Sequence, residues 1–187
     1  MITLKKLILL LFFIQLSVFA QDDFNKANIL LRNNEEVKGL AKISGNKIRF
    51  KKLENSKKET LNYKKVKKVV FDNGKTYVFK IMKRKIILVQ KLVHGKISLY
   101  SLEKTQHFFD YTSNGAPRPA GSNNYTIHYF GKNDEDQIIG LLSEKDDKKI
   151  YKEFFSDCKK YTDLSLEERA ALGGMVNAVK FYNENCK

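Results

Sequence analysis

Two cysteines, three histidines and a block of lysines are the side chains of this chain whose chemistry a function could use. Cys158 and Cys186 do not form a C-x-x-C pair, which excludes a thioredoxin-like redox motif. No histidine stands beside them at zinc-ligand spacing. In a chain bound for export an even cysteine count favours a disulfide, so a Cys158–Cys186 bridge is expected, with two buried free thiols as the alternative. His94, His107 and His128 are scattered, and turn and strand positions account for them. Asn133-Asp134-Glu135-Asp136 offers oxygen ligands to a hard cation but lacks the twelve-residue calcium-loop pattern, and a solvated hairpin tip is the simpler reading. Asn124-Tyr125-Thr126 matches a glycosylation sequon, a tripeptide that also arises by chance. There is no G-x-S-x-G, H-E-x-x-H, phosphate-binding loop or G-x-G-x-x-G. No catalytic residue, metal ligand or cofactor site is therefore assigned.

The lysines are the larger signal. The formal net charge is +14, and residues 47–96 carry seventeen basic side chains against Glu54, Glu59 and Asp72. Residues 97–187 carry twelve basic and fourteen acidic ones, so the middle of the chain holds the excess. Such a surface attracts anions in a salt-dependent way. Lys47, Arg49 and Lys51 alternate along one expected strand. Lys64, Lys65, Lys67 and Lys68 precede another, and Lys83, Arg84 and Lys85 mark a turn. Together they are the candidate anion-binding set. Against it, thirty of the thirty-five basic residues are Lys, as a low-GC coding bias would produce, whereas dedicated phosphate sites favour the fork of Arg.

Strands must position these groups. Ile48 and Phe50 alternate with Lys47, Arg49 and Lys51 as in a half-buried strand, after a turn at Ser44-Gly45-Asn46 from a Val37–Ile43 strand. Val69–Phe71 and Tyr77–Ile81 flank Asp72-Asn73-Gly74-Lys75, where Asn-Gly supplies positive φ angles for a hairpin. Ile86–Val93 is apolar on both faces, with only Gln90 and Lys91 interrupting, and reads as a central strand covered on both sides. His94-Gly95 turns into Ile97–Leu102. Thr112–Asn124 holds both prolines, Pro117 and Pro119, and reads as a long loop. Core packing is the first expectation for the aromatics around it, Phe108, Phe109, Tyr111, Tyr125, Tyr129 and Phe130, with a binding surface as the alternative. Tyr125–Phe130 and Gln137–Leu142 read as a last hairpin.

The C-terminal part reads as helical. Ile150, Phe154 and Cys158 recur every four residues, Ser165 and Glu168 have capping-box spacing, and Gly173-Gly174 predicts a break before Met175–Tyr182. Val176, Val179, Asn183 and Cys186 fall near one face. Strands first and helices last argue an α+β fold, with an antiparallel sheet over about 28–142 and a helical tail over about 146–185.

Met1–Ala20 has the layout of a secretory signal peptide: Lys5 and Lys6, the apolar run Leu7–Leu16, then Val18-Phe19-Ala20. An uncleaved anchor is the alternative. The expected mature chain, from Gln21, is a single exported domain placed in the periplasm or at the cell surface.

Three short segments carry a family likeness. Beside the strand-turn pattern from Ile29 to Phe50, they are Gly95-Lys96-Ile97-Ser98-Leu99-Tyr100 and the tail elements Phe154-Phe155-Ser156-Asp157-Cys158 and Phe181-Tyr182-Asn183 near Cys186. The chain resembles small exported proteins of Bacteroidota-type bacteria in which a β-rich body precedes a helical tail with Asp-Cys and Tyr-Asn elements. The resemblance implies an envelope location and that fold, and no activity. The expected function is non-catalytic binding of an anionic envelope component, including peripheral membrane contact. An assembly accessory that binds another envelope protein is the alternative, and a hydrolase visible only in the fold is the third. Export argues against an intracellular nucleic-acid role.

Overall fold

Alternating apolar residues build a single ten-stranded sheet, ordered β10-β9-β8-β7-β6-β5-β1-β2-β3-β4. The computed structural model describes residues 23–132, 135–141 and 148–186. The proposed signal peptide, Asn133, Asp134, Leu142 and the first residues of the expected tail lie outside the described residues. The strands are β1 (Asn25–Leu31), β2 (Glu36–Ser44), β3 (Lys47–Lys51), β4 (Glu59–Leu61), β5 (Val66–Phe71), β6 (Thr76–Met82), β7 (Lys85–Val93), β8 (Ile97–Tyr111), β9 (Pro117–Lys132) and β10 (Ile139–Leu141). All neighbouring pairs are antiparallel. After residues 148–150, a π-helical turn (Tyr151–Phe155) leads to three helices, α1 (Lys159–Thr162), α2 (Leu166–Ala171) and α3 (Met175–Asn185). The fold is α+β, with a β-rich body and a helical tail.

The sheet bends both ways, and β6 and β7 serve both bends. In its first half one face points inward: Ala27, Ile29, Ala41, Ile48, Phe50, Leu61, Val66 and Val69 pack with Phe79 of β6 and Leu88 of β7. In its second half both faces are covered: on the opposite face Val89 of β7 packs with Tyr100, Ile127, Tyr129 and Ile138, and on the other Ile97, Leu99 and Phe130 lie under the helical tail. Leu88 and Val89 are adjacent and both buried, so β7 is covered on both sides there, as the apolar run interrupted only at Gln90 and Lys91 predicts. Each bend is held by a hydrogen bond to an edge its neighbours leave open. Asn46, in the β2–β3 turn, bonds the backbone of Ile86 and Leu88. The segment before β10 meets β6: Ile81 N donates to Asp136 O at 2.7 Å and Ile138 N to Ile81 O at 2.9 Å.

Two local irregularities follow from sequence. Val66-Lys67-Lys68-Val69 does not alternate, yet Val66 and Val69 are both buried. The pairing steps from Leu30↔Lys68 to Leu31↔Val66, so Lys67 is the extra residue of a bulge. That bulge sends Lys67 and Lys68 to the same exposed face. Close packing also fixes Gly39, where a Cβ would stand 2.6 Å from the Phe50 ring.

Three expectations are corrected. Thr112–Asn124 is not a long loop: Thr112–Ala116 is a tight turn, with Thr112 N donating to Ala116 O at 2.9 Å, and β9 begins at Pro117. Because Thr112 and Ala116 are bonded across the turn, the next pairs outward in alternate positions, Tyr111↔Pro117 and Phe109↔Pro119, direct their backbone polar groups away from each other. A proline there removes no bond of the hairpin. In the second correction, Phe108, Phe109, Tyr111 and Tyr125 are exposed rather than core, whereas Tyr129 and Phe130 are buried. Finally, only Gly74 of the Asn73-Gly74 pair takes positive φ, at +81°. The four-residue turn closes through Phe71 N to Lys75 O, so Asn73 needs no left-handed conformation.

Candidate functional site

The helical tail is clamped onto the sheet by residues of Gly95–Ile97, Asp157-Cys158 and Tyr182–Cys186. Cys158 and Cys186 form a disulfide, with Cα atoms 5.3 Å apart. Asn183 of α3 docks against β8 as a strand would: Ile97 N donates to its Oδ1 at 2.9 Å, and its Nδ2 donates to Ile97 O at 2.8 Å. Gly95 makes room, since a Cβ there would stand inside the Asn183 amide. The Tyr182 hydroxyl lies 2.8 and 2.9 Å from the two Asp157 carboxylate oxygens, and Lys96 Nζ lies 3.3 Å from Asp157 Oδ2. The Tyr182 hydroxyl bond, then Lys96, holds the Asp157 carboxyl below its usual range. Burial, then the Asp157 carboxylate, pushes the Tyr182 hydroxyl up. Beneath these contacts Ile97, Leu99 and Phe130 pack against Ile150, Phe154, Phe155, Val179 and Tyr182. This constellation is a fastening: each polar group is matched by a neighbour, and the surrounding residues are core.

The second constellation is basic. Lys47, Arg49 and Lys51 project from the outer face of β3, opposite the buried Ile48 and Phe50. Register places Arg49 beside Lys42 of β2 and Lys38 beside Asn28 of β1. Two strands further, Lys67 and Lys68 project from β5 on that same face. Strands stand about 4.8 Å apart, so this row of cations spans about 15 Å from β3 to β5. Asp23 bridges Lys42 at 3.7 Å, and Lys51 lies 4.6 Å over the Phe24 ring.

Beyond β5 the outer face runs into a cleft of about 660 Å³, formed where the two bends of the sheet part. Arg32, Lys67, Lys68, Lys80, Lys91 and His94 line it, around Tyr100, with Asp136 as the one acidic residue of the lining among the described residues. Lys80 is only 6% exposed. Its Nζ donates to Glu135 O at 2.6 Å and lies 5.3 Å over the Tyr100 ring. Lys91 Nζ and His94 Nδ1 are 2.9 Å apart. Arg32 is oriented by a bond from Nε to Tyr63 O. Several cations round one hollow concentrate positive potential at its centre, where low-dielectric walls screen it less than open water would.

Of the sequence-derived set, Lys47, Arg49, Lys51, Lys67 and Lys68 share one face. Lys64 and Lys65 lie in the exposed turn before β5, at the end of that face. Lys83 and Arg84 form the β6–β7 turn and Lys85 begins β7. Lys83 and Arg84 border a different hollow, with Glu135, Glu153 and Phe154, and none of the three joins the row. Sequence reading missed Arg32, Lys38, Lys42, Lys80, Lys91 and His94. Lys38 and Lys42 carried a readable signal, since they alternate with Val37, Ala41 and Ile43. Lys80 carried none: inside an apolar run it marks a buried cation only once the strand's neighbours are known.

Among the described residues no three or more His, Cys, Asp or Glu side chains cluster as metal ligands, and no helix is long and apolar enough to cross a membrane. No family model matches the chain, and no curated protein or solved structure matches it. What the fold and site define is a doubly bent antiparallel sheet with a disulfide-fastened helical tail and a basic cleft. Such a bridge belongs to a non-reducing compartment.

Proposed function

We propose that this chain is an exported, non-catalytic envelope protein that holds an anionic component of the envelope on the basic face of β1–β3 and β5. The cleft beside Lys67 and Lys68 is where the anionic group sits. The observation that carries this reading is the convergence of Arg32, Lys67, Lys68, Lys80, Lys91 and His94 on one hollow, with Asp136 as the one acidic residue of its lining among the described residues. Coding bias enriches lysine everywhere; it does not gather cations from the β1–β2 turn, β5, β6 and β7 round a single cleft. The disulfide supports the exported location, as does the signal-peptide layout of Met1–Ala20. The chemistry suited to the cleft is a phosphate or carboxylate group, as on lipid headgroups, lipopolysaccharide or acidic glycans. Each lysine near an anionic membrane contributes about 1 kcal/mol at low salt.

The test is co-sedimentation of the mature protein with phosphatidylcholine vesicles with and without phosphatidylglycerol, and with lipopolysaccharide. Binding should require the anionic component and fall with added salt. Charge reversal at Arg32, Lys67 and Lys68 should release it, while reversal of Lys152, Lys159 and Lys160 should not. Equal loss from both sets would leave only net charge, and absence of binding would remove the proposal. A second reading, an accessory that binds another envelope protein, draws on a separate observation: Phe109 and Tyr111 are 56% and 74% exposed on a projecting hairpin.

A further inference from the structure

The hairpin β8–β9 outruns the body. Leu102↔Ile127 is its outermost pair in the cluster that holds Val89 and Tyr100, and every residue of β8 from Glu103 to Tyr111 is exposed. Nine residues at about 3.3 Å each make an arm about 30 Å long. A two-stranded ribbon alone in water is marginal, and this one has two long edges. The β9 edge is blocked, because Pro117 and Pro119 stand at outward positions and have no N–H to offer. The β8 edge is open. Its pairing with β7 ends at Gln90↔Ser101, and among the described residues no strand pairs with it further out. Ser101 points its backbone groups toward β7, so by alternation Glu103, Thr105, His107, Phe109 and Tyr111 point theirs out along the same edge.

That edge is complementary to itself. Paired antiparallel with a second copy about His107, Glu103 meets Tyr111, Thr105 meets Phe109, and His107 meets His107, all outward-pointing positions that exchange ladder bonds. In the alternate positions, where side chains lie closest, Lys104 meets Asp110 twice and Gln106 meets Phe108 twice. Shifting the register by one step in either direction loses both opposite-charge pairs. The charge also suits association. Residues 103–126 carry Glu103 and Asp110 against Lys104 and Arg118, a neutral arm on a chain of net charge +14. At the arm's base a hollow of about 300 Å³, lined by Ile43, Tyr77, Leu88 and Glu103 among others, lies beside Glu103. In this register Tyr111 of the second copy falls opposite Glu103, on the face of the sheet that carries this hollow.

We infer that the chain forms a two-fold symmetric dimer by pairing β8 with β8 of a second copy through residues 103–111, in the register that sets Lys104 against Asp110. The pairing makes one four-stranded sheet from two arms and satisfies the open edges of both. A two-fold contact of this kind closes on itself and does not propagate into fibres. It is independent of anion binding, since no cleft residue lies in the arm.

Sedimentation velocity of the full mature protein across the micromolar range should give twice the monomer mass. Lys104→Glu alone sets Glu against Asp110, and Asp110→Lys alone sets Lys against Lys104, so each should run as a monomer. Mixed together they should recover a dimer containing one chain of each, because both cross-pairs are then opposite in charge. His107→Pro removes an outward N–H while leaving the bonds within the arm, and should also give a monomer. Since the arm is outside the core, circular dichroism and the intact disulfide verify folding in each variant. A monomeric wild type overturns the inference. So does a dimer that survives His107→Pro, or single variants that dimerise as the wild type does and show no preference for the mixed pair.

Discussion

At the scale of single residues, the best-determined chemistry here is mechanical. Asp157, Tyr182 and Lys96 fasten α3 beside β8, and the Asp157 carboxylate accepts from both of the others. Its depressed pKa links this contact to pH. A group with a folded-state pKa below its unfolded value adds stability above the unfolded value, near 4 for aspartate, and loses it as pH falls through the folded value. Asp157→Asn should therefore be less stable than the wild type at pH 7, and the two unfolding curves should converge below about pH 4. The Asp157 side chain is 59% exposed, so solvent screening keeps the difference under about 1 kcal/mol. Urea titrations at neutral and acid pH measure it; an undiminished gap in acid would mean that Asn disturbs packing rather than charge. Asn183 acts differently. It completes the backbone pairing of Ile97, a neutral contact with no such pH dependence.

At the scale of elements, the tail is made of pieces too short to stand alone. α1 has four residues and α2 six, and helices below about 12 residues are marginal in water. What holds them is the side chains beneath and the covalent tie. Phe155 stacks on Tyr161 with ring centroids 4.7 Å apart and meets Tyr182 edge-on at 5.6 Å. The Cys158–Cys186 bridge closes a segment of 28 residues, which in the chain-entropy account contributes about 3–4 kcal/mol. Replacing both cysteines by Ala should lower the unfolding free energy by about that amount, read by denaturant titration, and should raise hydrogen exchange in α1–α3 before the sheet. Equal loosening of β1–β4 would show that tail and sheet unfold as one unit. The Ser165–Glu168 capping box acts on α2 alone: Ser165 N donates to Glu168 at 2.7 Å and Glu168 N to Ser165 Oγ at 3.1 Å.

At the scale of the molecule, three apolar clusters share one sheet, and none draws on the outer half of the arm. Replacing residues 103–126 by a two-residue Asn-Gly turn between Leu102 and Ile127 should therefore leave the protein folded. Its unfolding free energy should shift by no more than the roughly 0.5 kcal/mol usual for surface changes, as calorimetry can measure. Failure to fold would place the arm within the folding unit. The trimmed protein should keep its anion binding, because the basic cleft lies between β5 and β8 on the body. The same architecture explains the charge. Cations that are spread from Arg32 to Lys91 in sequence face one hollow because β1 returns to pair with β5, placing the first strand between two later hairpins.

The amino-acid sequence by itself determined the local alternatives. Alternation marked β3, and the turns Ser44-Gly45-Asn46 and His94-Gly95 marked β2 and β8; the apolar run Ile86–Val93, broken only by Gln90 and Lys91, marked a strand covered on both faces; helical spacing and Gly173-Gly174 marked α3 and the break before it. The disulfide was legible from count and compartment. These are short-range matters, settled by which side a side chain must face and which φ a residue can adopt. Tertiary structure alone decided the rest. Prolines that read as a loop became strand because outward positions in a hairpin need no N–H. Aromatics at the arm became surface because nothing packs over them among the described residues. The bulge at Lys67, the burial of Lys80 and the meeting of five cations with His94 in one cleft depend on register and strand order, which arise from contacts between residues far apart in the chain.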